Sequence, residues 1–205
     1  MEEFKYIISQ DEINLLPIGA FEGNIHLIEN PEEAEKAAQA LMSLSEAGFD
    51  TESRPSFKKG QHFSISLIQI SSETDAYIFL LKKTGIPASL KTFLASNEIK
   101  KIGVGLQQDK AEMRAKRIEC GNFIDLEKIA GAHKFKQRGI RALAAFFLGI
   151  RISKSAQKSN WARDELTPAQ IKYAATDAWV SLRIYQEMEK KGFLVLPPEE
   201  ETPNQ

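Results

Sequence analysis

Cysteine is almost missing from this chain: Cys120 stands alone among 205 residues, which excludes an intramolecular disulfide and a cysteine-rich zinc site. A reducing compartment fits that usage. Histidine is nearly as scarce, and His26, His62 and His133 are scattered in a way that does not suggest zinc. No run approaches the roughly 20 apolar residues a membrane helix needs. The opening Met1-Glu2-Glu3-Phe4-Lys5 lacks the basic-then-apolar layout of a secretion signal, so a cytoplasmic protein without membrane contact is expected. Excess charge is missing too: the formal net charge of -1 gives no overall pull on polyanions. Nucleic-acid binding, if present, must come from uneven placement of charge.

What is present is an ordinary globular composition, 42% hydrophobic and 27% charged, which argues against a largely disordered chain. The length suits one buried core. A single domain over residues 1–196 is expected, and the Pro197-Pro198-Glu199-Glu200-Glu201 segment and the residues after it, 197–205, read as a disordered tail with nothing to bury. No internal repeat is found. Charge is unevenly placed: Lys128 to Arg163 contains no Asp or Glu, yet holds Lys128, Lys134, Lys136, Arg138, Arg141, Arg151, Lys154, Lys158 and Arg163. Such a stretch is either a solvated surface or a phosphate-contacting face.

Asn24–Ile28 reads as a short strand and Pro31–Leu44 as a helix with Ala34, Ala37, Ala38, Leu41 and Leu44 on one face. Phe63, Ile65 and Leu67 alternate with serines before Ile68 and Ile70, and Tyr77–Leu81 follows a polar turn, which predicts a hairpin. A helix over Ala88–Ala95, a strand over Lys101–Val104, a helix over Ala111–Arg117 and an apolar run at Phe123-Ile124 come next. The last helix is the best bounded, with Thr167 as cap, Pro168 at the first position, Gln170 to complete a capping box and Gly192 beyond Lys191. The fold class this order predicts is α/β, a mixed β-sheet flanked by α-helices, with ligands at the carboxyl ends of central strands.

Asp50 and Glu52 sit two apart in an extended segment and so point to one face, within reach of one metal ion. Taken alone, such a pair is more often ordinary surface charge. Asp109 follows Gly103 and Gly105 at a strand's end, a seat for a ligand or for a helix-capping aspartate. Tyr173 and Asp177 are one turn apart on the last helix, among Ala174, Ala175 and Ala178, whose small side chains would let another chain or a ligand approach. The bland reading there is a half-buried tyrosine above a surface acid. Four separated carboxylates without a histidine or cysteine cluster suit hard cations such as magnesium or manganese. Beside a basic region, the matching chemistry is two-metal phosphodiester hydrolysis.

Three segments in order, Gly48-Phe49-Asp50-Thr51-Glu52, Lys101-Ile102-Gly103-Val104-Gly105-Leu106-Gln107-Gln108-Asp109, and Ser159-Asn160-Trp161-Ala162-Arg163 running to Tyr173-Ala174-Ala175-Thr176-Asp177, resemble the motifs of the DEDDy 3′–5′ exonucleases. The likeness is greatest to the Werner-type exonuclease domain, with ribonuclease D more distant, and covers about Asn24 to Glu189. It implies a ribonuclease H-like fold and hydrolysis of nucleic acid from a free 3′ end to nucleoside 5′-monophosphates. It also implies that Asp50, Glu52, Asp109 and Asp177 hold two divalent cations, Mg2+ or Mn2+, and that Tyr173 positions the attacking water. A tyrosine rather than a histidine there sets the subgroup, and all five matched positions carry the family's residue.

Arg54, Lys58 and Lys59 after the first motif, with Lys158 and Arg163 before the last, are expected to flank the substrate strand through phosphates, which position without reading sequence. Phe57 either stacks on a terminal base or packs in its loop, and Trp161 is expected to anchor its own loop. DNA is the expected substrate because no second, helical domain accompanies the motifs; an RNA-processing enzyme like ribonuclease D and a non-catalytic nucleic-acid binding module stay open. No helicase motif is present, so any unwinding must come from elsewhere; a helicase or repair partner is possible, its identity open.

Overall fold

The computed structural model describes residues 7–56, 58, 61 and 63–196. Phe57, Lys59, His62 and the expected tail lie outside the described residues. In chain order the elements are α1 (Gln10–Leu15), β1 (Asn24–Ile28), α2 (Pro31–Leu41), β2 (Glu46–Ser53), β3 (Ile65–Ser71), β4 (Asp75–Leu80), α3 (Leu81–Thr84), α4 (Ala88–Ala95), β5 (Lys100–Gly103), α5 (Gln107–Ala115), β6 (Phe123–Asp125), α6 (Leu126–Ala132), α7 (Ile140–Leu148) and α8 (Pro168–Lys190). None of the described helices is long and apolar enough to cross a membrane.

The strands form one mixed six-stranded sheet in the order β1-β4-β3-β2-β5-β6. β3 is antiparallel to both β2 and β4, as the predicted hairpin requires, while β1 joins β4, β5 joins β2 and β6 joins β5 in parallel. Because side chains alternate along a strand, β2 serves two layers at once. Ala47 and Phe49 face a core shared with Ala34, Ala38 and Leu41 of α2 and with Leu90 and Phe93 of α4. Gly48, Asp50 and Glu52 face the other way, toward α8. The sheet is thus covered by helices on both faces, which is why its strands read as near-continuous apolar runs.

Local chemistry fixes the helix ends. Thr167 accepts from the Gln170 N–H and the Gln170 side chain returns the bond, the capping box expected of α8, and Gly192 follows its end at φ 78°. Asn30 caps α2 by accepting from the Glu33 N–H at 2.9 Å, with Pro31 at the first position. This helix stops at Leu41, short of the Leu44 expected from its apolar spacing. The Ser43 hydroxyl donates to the Ala40 carbonyl at 2.9 Å, taking over an acceptor at the helix end, and Leu44 still packs partly against the core. Four helices were not legible beforehand: α1, α3, α6 and α7. In α7 the run Ile140–Leu148 has so few polar residues that no second face marks its period.

Gly48 shows why α8 can lie so close. A Cβ there would overlap the carbonyl oxygen of Ala178, a backbone atom that cannot rotate away. Ala174, Ala175 and Ala178 are each 0% exposed. Their small side chains therefore admit the sheet, and not a ligand as their sequence context suggested. Gly48→Ala is expected to destabilise the domain by about 3 kcal/mol, the upper range for overpacking a filled core, and to lower Tm by roughly 6–12 °C in a scanning calorimetry experiment.

Candidate active site

Asp50 and Glu52 project from the same face of β2, and Asp177 descends onto them from α8. Carboxylate oxygens from the three lie within 4.8 Å of one another, close enough to hold a metal ion together. Asp177 is 4% exposed, so it is no surface acid, whereas Asp50 and Glu52 are half-buried. None of the three forms an ion pair with a lysine or arginine among the described residues.

Desolvation and crowding of like charges push these acids toward their neutral forms. Burial raises Asp50 well above the usual carboxylate range, and the charges of Asp177, Glu52 and Asp109 raise it further. Glu52 is pushed up to about 8, again by burial first and then by Asp177 and Asp109. Asp177 is raised by burial and drawn partly back by the Tyr173 hydroxyl. In turn, burial and the facing carboxylates push the Tyr173 phenol upward, so it stays protonated throughout the ordinary pH range. A cluster of oxygen donors without a cation of its own, held at this electrostatic disadvantage, matches the chemistry of a hard divalent ion.

Asp109 stands apart from the triad. It is not at the end of β5 but in the first turn of α5, which starts at Gln107, earlier than the Ala111 start read from the sequence. Two observations explain that placement. Gly105 takes a left-handed φ of 73°, and the Asp125 carboxylate accepts from the Gly105 and Leu106 N–H groups at 2.8 and 3.1 Å, clamping the turn from the end of β6. In addition β5 pairs with β2 only as far as Gly48, leaving the edge of β2 open beyond it. There the Thr51 hydroxyl donates to Asp109. Asp109 is close enough to raise both Asp50 and Glu52, and burial raises its own carboxyl. Thr51 and Asp125 were not singled out beforehand; no spacing or composition signal marks a residue that acts by holding another in place.

The basic residues divide. Arg54, Lys58 and Lys158 line one cleft of about 500 Å3 with Phe63 and Asn160, and the Arg54 guanidinium lies 4.9 Å over the Phe63 ring. Arg163 lines a separate, more apolar groove of about 410 Å3 with Lys82, Lys83 and Lys116. Lys59 lies outside the described residues. Within the acid-free stretch, Arg141 and Arg151 spend their Nε–H groups on the backbone carbonyls of Ile152 and Leu16, at 3.4 and 3.0 Å. Those two cations are therefore structural ties more than a phosphate-contacting face. Trp161 is 1% exposed and packs against Tyr173 with ring centroids 5.8 Å apart, which anchors its loop against α8.

Residues 25–192 match the sequence profile of the 3′-5′ exonuclease family. The chain belongs to that family. The exonuclease match takes in every strand except the first residue of β1, and all of α8. The chain is 32% identical over 167 residues to the bifunctional 3′-5′ exonuclease/ATP-dependent helicase WRN of Mus musculus, covering 78% of this chain and 12% of that protein. It is 25% identical over 202 residues to a 3′-5′ exonuclease of Arabidopsis thaliana, covering 89% of this chain and 69% of that one. Among solved structures, the Aedes aegypti Nibbler EXO domain superposes with a TM-score of 0.75 at 22% identity, covering 88% of this chain and 95% of that one. Escherichia coli RNase D gives 0.72 at 21% identity, covering 83% of this chain and 47% of that one. Those structural likenesses establish the ribonuclease H-like exonuclease fold.

Proposed function

We propose that this chain removes nucleotides one at a time from the 3′ end of a nucleic-acid strand, releasing nucleoside 5′-monophosphates, at the site formed by Asp50, Glu52, Asp109, Asp177 and Tyr173. The observation that supports this most is the convergence of three carboxylates from β2 and α8 with no cation of their own among the described residues. Family membership supports the direction of attack. Asp50, Glu52 and Asp177 would hold one divalent ion, and Asp109, which here accepts from Thr51, would help to hold a second. Two such ions, Mg2+ or Mn2+, supply the charge that activates a water and stabilises the leaving 3′ oxygen.

The chain's own groups do the rest. Tyr173 stays protonated, so its hydroxyl donates to and orients the attacking water instead of removing a proton. Arg54, Lys58 and Lys158 neutralise the backbone phosphates next to the terminal nucleotide, and the half-buried Phe63 beside them in the cleft offers an apolar edge for a base. DNA is the proposed first substrate, with RNA compared in the same assay.

The cleft gives the sharpest binding test. Replacing Arg54 and Lys158 by Gln, singly and together, is expected to weaken binding to a single-stranded oligonucleotide on a catalytically inert background. It should also reduce the dependence of log Kd on log salt by about 0.7 for each lost phosphate contact. An unchanged slope places the strand elsewhere. For the reaction itself, linear and circularised versions of one single strand are incubated with manganese. The reading predicts that only the linear strand is consumed, and cleavage of the circle refutes it by showing internal cutting.

A further inference from the structure

Directly across the sheet from Asp50 lies a residue to which no motif points. Gln69 pairs with Asp50 in the antiparallel register of β2 and β3. Residues facing one another in such a pair project to the same side, with Cβ atoms about 4.5–5.5 Å apart. That side is the α8 side: Gly48, on the face of Asp50, abuts Ala178, and Leu67, two residues before Gln69, packs with Ala174 and Ala175. On its other flank Gln69 meets Ile78 of β4. Gln69 is 0% exposed, yet neither its Oε1 nor its Nε2 has a hydrogen-bond partner.

An amide enclosed without partners is costly, and each such group in a folded protein calls for an explanation. Among the described residues only Gln69 and Trp161 carry orphaned side-chain atoms, and Trp161 has one to the two of Gln69. A methionine or leucine would fill the same space between Leu67 and Ile78 without that penalty. A partner must therefore arrive in another state of the site, and the neighbour whose state changes is the acid opposite.

We infer that Gln69 is a positioning residue for the acid cluster, its Nε2–H donating to the Asp50 carboxylate when that carboxylate turns to a divalent cation, which fixes the oxygen presented to the ion. The inference rests on the reading of Asp50, Glu52 and Asp177 as metal ligands. Hydrogen bonds to a ligating carboxylate of this kind are worth 10–100-fold, roughly, in metal affinity.

The test separates the two ideas by sign. Gln69→Met and Gln69→Leu are compared with the wild type and with Asp50→Asn, measuring Mn2+ affinity by titration calorimetry, the Mn2+ EPR spectrum, and Tm in chelator. With chelator present, the Gln69 variants should melt at or above the wild type, because the orphaned amide is gone. Their Mn2+ affinity should nonetheless fall at least tenfold, with an altered EPR line shape. Wild-type Mn2+ affinity in folded Gln69→Met or Gln69→Leu overturns the role of Gln69 while leaving the metal reading intact, provided Asp50→Asn has lost the ion. Absence of Mn2+ binding by the wild type overturns both.

Discussion

Asp50→Ala and Asp177→Ala are each expected to lower the rate of mononucleotide release by at least about 10^3-fold, since charge stabilisation by a bound metal is worth several kcal/mol and each 1.36 kcal/mol is a factor of ten. The two residues come from different elements, β2 and α8, and meet only because Gly48 lets the helix settle against the strand. Neither change should unfold the domain. Each removes an acid, buried at Asp177 and half-buried at Asp50, that has no cationic partner among the described residues, so the chelated protein should lose no stability and circular dichroism should match the wild type. Tyr173→Phe should do less, because an orienting donor is lost while the ligands remain. Quenched-flow measurement of single turnovers checks both points; wild-type rates in either Ala variant remove the triad from the reaction.

The second large effect is on stability and runs with pH. Glu52 has a folded value of about 8 against an ordinary 4.5, so the native state holds its proton more tightly than the unfolded state does. The sign follows from linkage: the contribution of this group is fully present below the unfolded value and is lost as pH rises through the folded one. Chelated protein should therefore lose Tm between about pH 5 and pH 8, and Asp50 and Asp177, raised in the same direction, steepen the fall. Glu52→Gln should flatten that fall, raising Tm of the chelated protein at pH 8 by roughly 5 °C, equivalent to about 2 kcal/mol for a domain of this size. Added Mn2+ reverses the pattern, because it binds the deprotonated carboxylates and its stabilising shift grows over the same pH window. Calorimetric scans across pH, with chelator and with Mn2+, read both slopes. A wild-type Tm that rises toward pH 8 in chelator contradicts the electrostatics of the site.

Most of this architecture was legible in the sequence, for identifiable reasons. Strand alternation at Ile65–Ile70, the cap at Thr167, and the two-residue spacing of Asp50 and Glu52 are local signals that survive folding unchanged. What was not legible depends on distant partners. The true start of α5 is set by the Asp125 carboxylate, which reaches the Gly105-Leu106 turn from another strand. Burial of Asp177 depends on the approach of α8 to Gly48, and the unpartnered state of Gln69 emerges only when β3 is enclosed between β2, β4 and α8. Charge patterning misled most: an acid-free stretch looks like one surface in sequence, but Arg141 and Arg151 tie backbone carbonyls while Lys158 joins Arg54 and Lys58 across the fold.

The central claim is directional, metal-dependent hydrolysis at the β2–α8 acids, and a time course on matched 3′-labelled and 5′-labelled DNA and RNA oligonucleotides tests it most directly. It is run with magnesium, with manganese, with chelator, and beside Asp50→Ala. The account predicts immediate release of labelled mononucleotide from the 3′ label and a descending ladder from the 5′ label, both abolished by chelator and by the substitution. Binding without turnover in saturating manganese, or turnover that survives Asp50→Ala, contradicts it.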